Sequence, residues 1–269
     1  MIKILKKIAI SFIVILSLFS CGNSIKIIDN NEQKVSLSQK FQKYFFVGAA
    51  INEGQILQKD QPSVSIIKKE FNTISPENVM KWMFVQPKPN EFYFDHTDKY
   101  VQFGLDNNMH IVGHALICHS QIANFMNSIK DSTKMVQHVT NHISTLVNRY
   151  KGKIDTWDVV NEALNEDGTL RESIFLKVLG ENYLETVYKM AEKYDSNADL
   201  AYNDYNLCKP KKREGVVKLI KSLQKNGAKI NSVGIQAHWQ LTSPTLEEIE
   251  TSILAFSELG VKVMFTELD

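Results

Sequence analysis

Two glutamates sit where an apolar run gives way to polar residues. Glu162 closes TWDVVNE (156–162), and Glu267 closes VKVMFTE (261–267), two residues before Asp269. Paired carboxyls aimed at one bond are the equipment of glycoside hydrolysis. One protonates the leaving oxygen, while the other attacks the anomeric carbon or activates water. A single glutamate at a strand end is more often a solvated or ion-paired surface acid. Two of them, one directly preceded by Asn161 and both set among further polar strand ends, weaken that ordinary account. The other ends carry Glu77 and Asn78, His114 and His119, Asn203 and Asp204, and Gln236 and His238. Metal chemistry has less support. His114 and His119 lie near Cys118, but no second pair completes a zinc set. His138 and His142 share a helix face at i, i+4 without the glutamate of H-E-x-x-H. No metal or cofactor is expected.

Alternating strands and helices must position these residues. Strand-like runs occur at 45–50, 71–76, 109–117, 156–162, 200–205, 232–238 and 261–267. They are continuously apolar, as parallel strands buried on both faces are. Between them, Met135, Val136, Val139, Ile143, Leu146 and Val147 recur at helical spacing in 131–150. The same pattern fills 214–225 and stops at Gly227. Thr245 and Glu248 have capping-box spacing at the head of a third helix. Repeated βα units predict an α/β fold with a parallel sheet. An open doubly wound sheet gathers only the strand ends near its switch point. Polar residues at nearly every strand end instead favour a (β/α)8 TIM barrel, whose strands converge on one active face. No G-x-G-x-x-G or P-loop follows any strand, which removes the usual nucleotide signal. Seven strands are found, so a last helix, strand and helix are expected to be missing.

Composition bounds the rest. The 269 residues are 43% hydrophobic and 23% charged with a formal net charge of +1, the profile of one globular domain without a nucleic-acid bias. The one dense basic group, KPKKR (209–213), reads as a solvated helix end. Residues 1–21 are a leader: Lys3, Lys6 and Lys7 precede an apolar stretch at 8–19, and LFSC ends at Cys21. That ending resembles a bacterial lipoprotein cleavage box with Cys21 as the lipidated residue; an ordinary cleaved signal is the alternative. The expectation is export to the cell envelope on a lipid anchor, followed by a polar tether at 22–40 and a catalytic domain at 41–269. Cys118 and Cys208 alone do not make a disulfide framework, so packing must supply stability.

WDVVNEAL (157–164), GIQAHW (234–239) and TELD (266–269) together resemble glycoside hydrolase family 10, the endo-1,4-β-xylanases. ENVMKW (77–82), GHALICHSQ (113–121) and YNDYN (202–206) support the resemblance, which runs from about Phe41 to Asp269. It implies a retaining mechanism on xylan, with Glu162 as acid/base and Glu267 as nucleophile. It also implies that His238 donates to the nucleophile with Asp269 holding its other ring nitrogen, and that Asn161 binds the sugar 2-OH. Glu77, Asn78 and Lys81 resemble residues that bind sugars on the non-reducing side. His114, Gln121, Tyr205 and Gln236 resemble other cleft residues, and Trp82 would support or contact the same subsites. For Trp82 and Tyr205, plain core packing is an equal alternative. Cys118 stands where the family usually has a tryptophan, so an aromatic platform near the reactive sugar is absent. A monomer acting on xylan is the expectation. A non-catalytic xylan-binding lipoprotein and a related barrel β-glucanase are the alternatives.

Overall fold

A computed structural model describes residues 35–269. The expected leader with Cys21, and the tether up to residue 34, lie outside the described residues. Among the described residues, the first regular element is α1 (Leu37–Phe41), four residues before the expected domain start. Ser36 caps it: the hydroxyl accepts from Gln39 N, and Gln39 Oε1 accepts from Ser36 N at 3.1 Å. This reciprocal cap satisfies backbone donors that a polar tether would leave to water.

Seven strands follow: β1 (Gly48–Ile51), β2 (Thr73–Pro76), β3 (His110–Cys118), β4 (Thr156–Asn161), β5 (Asp199–Asp204), β6 (Ser232–Ile235) and β7 (Lys262–Phe265). All neighbours are parallel, and the sheet order is the chain order. A doubly wound sheet reverses direction at a switch point; this one never does, and its progression is that of a (β/α)8 barrel wall. The wall is driest away from its two edge strands, β1 and β7. Every residue of β4 is buried, whereas β7 has exposed or half-buried residues throughout.

Helices connect the strands on the way back: α2 (Glu53–Ile56), α3 (Gln61–Glu70), α4 (Trp82–Val85), α5 (Asp95–Asp106), α6 (Ser132–Arg149), α7 (Ile174–Leu179), α8 (Tyr183–Tyr194), α9 (Pro210–Lys225) and α10 (Leu246–Ser257). The three helices foreseen from periodicity are α6, α9 and α10. The capping box at the head of α10 forms, with Glu248 N donating to Thr245 Oγ1 at 3.2 Å and Thr245 N donating to Glu248 Oε2 at 2.8 Å. Gly227, with φ +72°, takes the left-handed turn that ends α9.

Buried tyrosines fasten helices to the wall. The Tyr100 hydroxyl on α5 reaches the carbonyls of Ile74 (2.9 Å) and Val112 (2.6 Å), and Tyr188 on α8 donates to Ala201 O at 2.9 Å. Each ring adds buried apolar area and gives its hydroxyl a partner, as burial of a phenol requires. Gly113 on β3 serves the same packing. A methyl there would run into the ring of Trp157, which fills the next strand's place.

One expectation from composition fails. KPKKR is not a uniformly solvated helix end, because Lys212 on the first turns of α9 is fully buried. Its ammonium lies 2.9 Å from Asp204 Oδ1, 3.2 Å from Glu166 Oε1 and 3.5 Å from the centroid of the Tyr205 ring. A buried cation survives only when paired in this way. Glu166 is 46 residues away and Asp204 lies back across the loop after β5, so nothing within the basic run itself announces the pairing.

Candidate active site

Strand geometry collects the polar ends on one rim. Asn161 of β4 lies in register with Cys118 of β3 on one side and Asn203 of β5 on the other. Asn203 is in turn opposite Gly234 of β6, where any side chain would collide with Asn203 Oδ1. The missing side chain leaves the room that Asn203 uses.

Those amides join the two glutamates. Gln236 Nε2 donates to Glu162 Oε1 at 3.0 Å and to Asn161 Oδ1 at 3.1 Å. Asn161 Nδ2 also donates to Glu162 Oε1, at 3.2 Å. Asn203 Nδ2 donates to Asn161 Oδ1 at 3.1 Å and to Glu267 Oε1 at 2.9 Å. Asn161, Asn203 and Gln236 are buried, whereas both glutamates remain partly open to solvent. A dry amide network therefore ends at each side in a carboxyl facing the cleft. On the outer side of Glu267, His238 Nε2 lies 3.3 Å from Oε2, and its Nδ1 lies 3.1 Å from Asp269 Oδ2.

A second cluster lies after β2 and β3. Lys81 Nζ donates to Gln121 Oε1 at 2.7 Å and to Asn78 Oδ1 at 3.2 Å. Glu77 is exposed beside them. His114 points elsewhere, into the wall, with Nδ1 2.7 Å from Asp158 Oδ2. Burial pushes the Asp158 carboxyl above the ordinary carboxylate range, and His114 pulls it back. Cys118 is buried with its thiol pushed up by burial, and its sulfur accepts from Asn161 Nδ2 at 3.4 Å.

Trp82 is not brought to the cleft surface. It is buried and stacks on His142 of α6 with ring centroids 3.9 Å apart. His142 is itself fully enclosed, bonded to Gln86 at 3.0 Å, and burial pushes its ring down to about 3. The pair fixes α4, directly after Lys81. Tyr205 is half-buried with its hydroxyl 2.7 Å from Arg171 Nη2. His138 and His142 form no common site, and among the described residues no group of His, Cys, Asp and Glu stands ready to hold a metal ion.

Three contributors escaped the sequence reading of roles. Asn203 was visible as a strand-end amide, but its bond to Glu267 depends on the bare Gly234. His119 Nδ1 lies 3.6 Å from Glu162 Oε2, beyond hydrogen-bond length, and burial lowers the basicity of its ring. Arg171 sits in a loop without periodicity, where no pattern marks it.

A parallel barrel wall with two carboxyls on its C-terminal rim defines a glycosidase-like site. The chain belongs to glycosyl hydrolase family 10, whose family model matches residues 36–269. It is 40% identical over 237 residues to a Beta-1,4-xylanase of Dictyoglomus thermophilum, covering 87% of this chain and 66% of that protein. It is 40% identical over 232 residues to Endo-1,4-beta-xylanase A of Xylanibacter ruminicola, covering 84% of this chain and 63% of that protein. The chain thus spans just under two thirds of the length of these relatives. Among solved structures, a GH10 endoxylanase retrieved from a sugarcane soil metagenome superposes with a TM-score of 0.84 at 35% identity, over 87% of this chain and 71% of that one. Xylanase XynB from Paenibacillus barcinonensis, complexed with a conduramine derivative, superposes with a TM-score of 0.83 at 35% identity, over 88% and 73% of the two chains.

Proposed function

We propose that this protein is an endo-acting xylanase that cleaves internal β-1,4-xylosidic bonds with retention of configuration. The observation that carries this reading is the amide bridge that holds Glu162 and Glu267 on one rim of a family 10 wall. Glu162 is the acid/base. Its Oε1 already receives N–H groups from Gln236 and Asn161, and amide nitrogens only donate. The proton of the acid form therefore resides on Oε2, from which it passes to the leaving oxygen. Glu267 is the nucleophile. Its carboxylate, supported by Asn203 and His238, attacks the anomeric carbon and forms a glycosyl-enzyme. Glu162, now ionised, removes a proton from the water that releases the sugar.

Asn161 is the 2-OH ligand in this reading. Glu77, Asn78, Lys81 and Gln121 form a polar floor for sugars on the non-reducing side. Tyr205 and Gln236 border the reacting sugar, while His114 and Trp82 support from within the wall. The names of the related proteins support xylan as the polymer. The test is proton NMR of xylohexaose hydrolysis. Internal cleavage that first releases the β-anomer supports the reading; an initial α-anomer, or exclusive release of xylose from one end, overturns it.

The leader supports the further proposal that the protein is exported and anchored through a lipid on Cys21. Metabolic labelling with a radioactive fatty acid should mark the wild type and not Cys21→Ala. Equal labelling of both discards the anchor.

A further inference from the structure

The backbone of Glu162 is held in an unusual way. Its φ is +59°, in the left-handed region that a side-chain-bearing residue avoids. A residue held there persists only where its surroundings over-determine it. Every polar group of its backbone is engaged. Glu162 N donates to Asn203 O at 2.8 Å. The next peptide unit is pinned at both ends. Arg171 Nε donates to Glu162 O at 3.0 Å, and Ala163 N donates to the Tyr202 hydroxyl at 3.2 Å.

Each pin is itself fixed. Tyr202 donates to Asp204 Oδ2 at 2.6 Å, and Asp204 is paired with the buried Lys212. Arg171 Nη2 donates to Leu164 O at 2.9 Å and to the Tyr205 hydroxyl at 2.7 Å. One guanidinium thus spans two carbonyls of the loop after β4 and a tyrosine of the loop after β5. Its rigid planar fork suits this task; an ammonium on a flexible stem cannot reproduce it.

We infer that Arg171 is a positioning residue for the proton donor, fixing the Glu162 peptide so that the carboxyl stays on Gln236 while Oε2 faces the leaving oxygen. This deepens the proposed function and rests on it. Loss of the guanidinium frees the Glu162 carbonyl, lets φ relax towards the right-handed or extended regions, and swings the carboxyl off its bond with Gln236.

The consequence is selective. Proton donation matters most for a poor leaving group and little for one that departs as a stable anion. In Arg171→Met, kcat/KM on phenyl β-xylobioside should therefore fall by about 100-fold or more, the scale of general-acid contributions. On 2,4-dinitrophenyl β-xylobioside it should stay within about threefold, since that leaving group needs little help from a general acid. The ratio kcat/KM covers only steps through formation of the glycosyl-enzyme, so the later base step does not blur the comparison. Arg171→Lys, which keeps a charge but loses the fork, should show the same split in weaker form and carries the test if the methionine variant does not fold. An equal loss on both glycosides, or no loss on either, overturns the assignment. A wild type that cleaves xylan with inversion, or neither glycoside at all, overturns the function beneath it and the assignment with it.

Discussion

Glu267→Ala should lower turnover on xylan by about five orders of magnitude, the scale on which removal of a covalent nucleophile acts. The fold should survive, because Glu267 is partly exposed on the rim and follows β7 rather than filling the wall. Its two supports also keep other partners: Asn203 Nδ2 retains Asn161, and His238 retains Asp269. Thermal unfolding of the variant should therefore lie within about 1 kcal/mol of the wild type, as for surface substitutions. Azide separates a nucleophile from a merely structural acid. It is small enough to enter the vacated space and attack the anomeric carbon, so with an activated aryl xyloside it should restore turnover and yield the α-xylosyl azide. A variant that keeps activity within tenfold of the wild type, or that azide leaves unchanged, would mean that another group attacks.

The second large effect is on stability. Lys212 is fully buried between Asp204 and Glu166, and Asp204 is likewise enclosed. Lys212→Met keeps the stem and removes the charge, which leaves the Asp204 carboxylate without its cation. Breaking a buried pair from one side costs about 3–5 kcal/mol. Burial already pushes the Asp204 carboxyl upward, so without Lys212 it takes up a proton more readily still. The double variant Lys212→Met/Asp204→Asn removes both charges and should recover most of the loss, since the cost lies in the unpaired survivor. Urea unfolding of both variants and the wild type measures this. A single variant within about 1 kcal/mol of the wild type, or a double variant no better than the single, refutes the account.

Much of this molecule can be read along the chain. Seven apolar runs became seven strands in the expected order, and polar residues at their ends became one rim. The reading overran at the chemically important ends. The run at 232–238 was expected to be strand throughout, yet β6 stops at Ile235, and Ala237 takes φ +64°. The run ending in Glu162 likewise leaves the ladder at Asn161. Apolar character continues through these positions while the backbone turns to present side chains, and hydrophobicity does not encode that turn. At the other end, the run at 45–50 starts early: Phe45 and Phe46 are exposed, and pairing begins only at Gly48.

What the chain concealed was partnership at long range. Lys212 looked like one more solvated lysine because Asp204 and Glu166 meet it only across two loops. Trp82 read equally well as cleft or core, and its stack on His142, 60 positions away, settles the packing without any local mark. Arg171 lies nine residues beyond Glu162 in a loop of ordinary composition, and only the folded backbone shows which carbonyl it holds.

The amide network also determines where protons cannot go. A proton wire needs links that accept on one side and release on the other, as hydroxyls, imidazoles and water do. The nitrogens of Asn161, Asn203 and Gln236 only give hydrogen bonds, and the Asn161 oxygen at the centre receives one from each side. The path between Glu162 and Glu267 is thus mechanically tight yet insulating. A proton held by the first glutamate therefore cannot reach the second through the wall; any exchange between them runs through the water of the cleft, to which both are partly open, while both stay fixed to one frame.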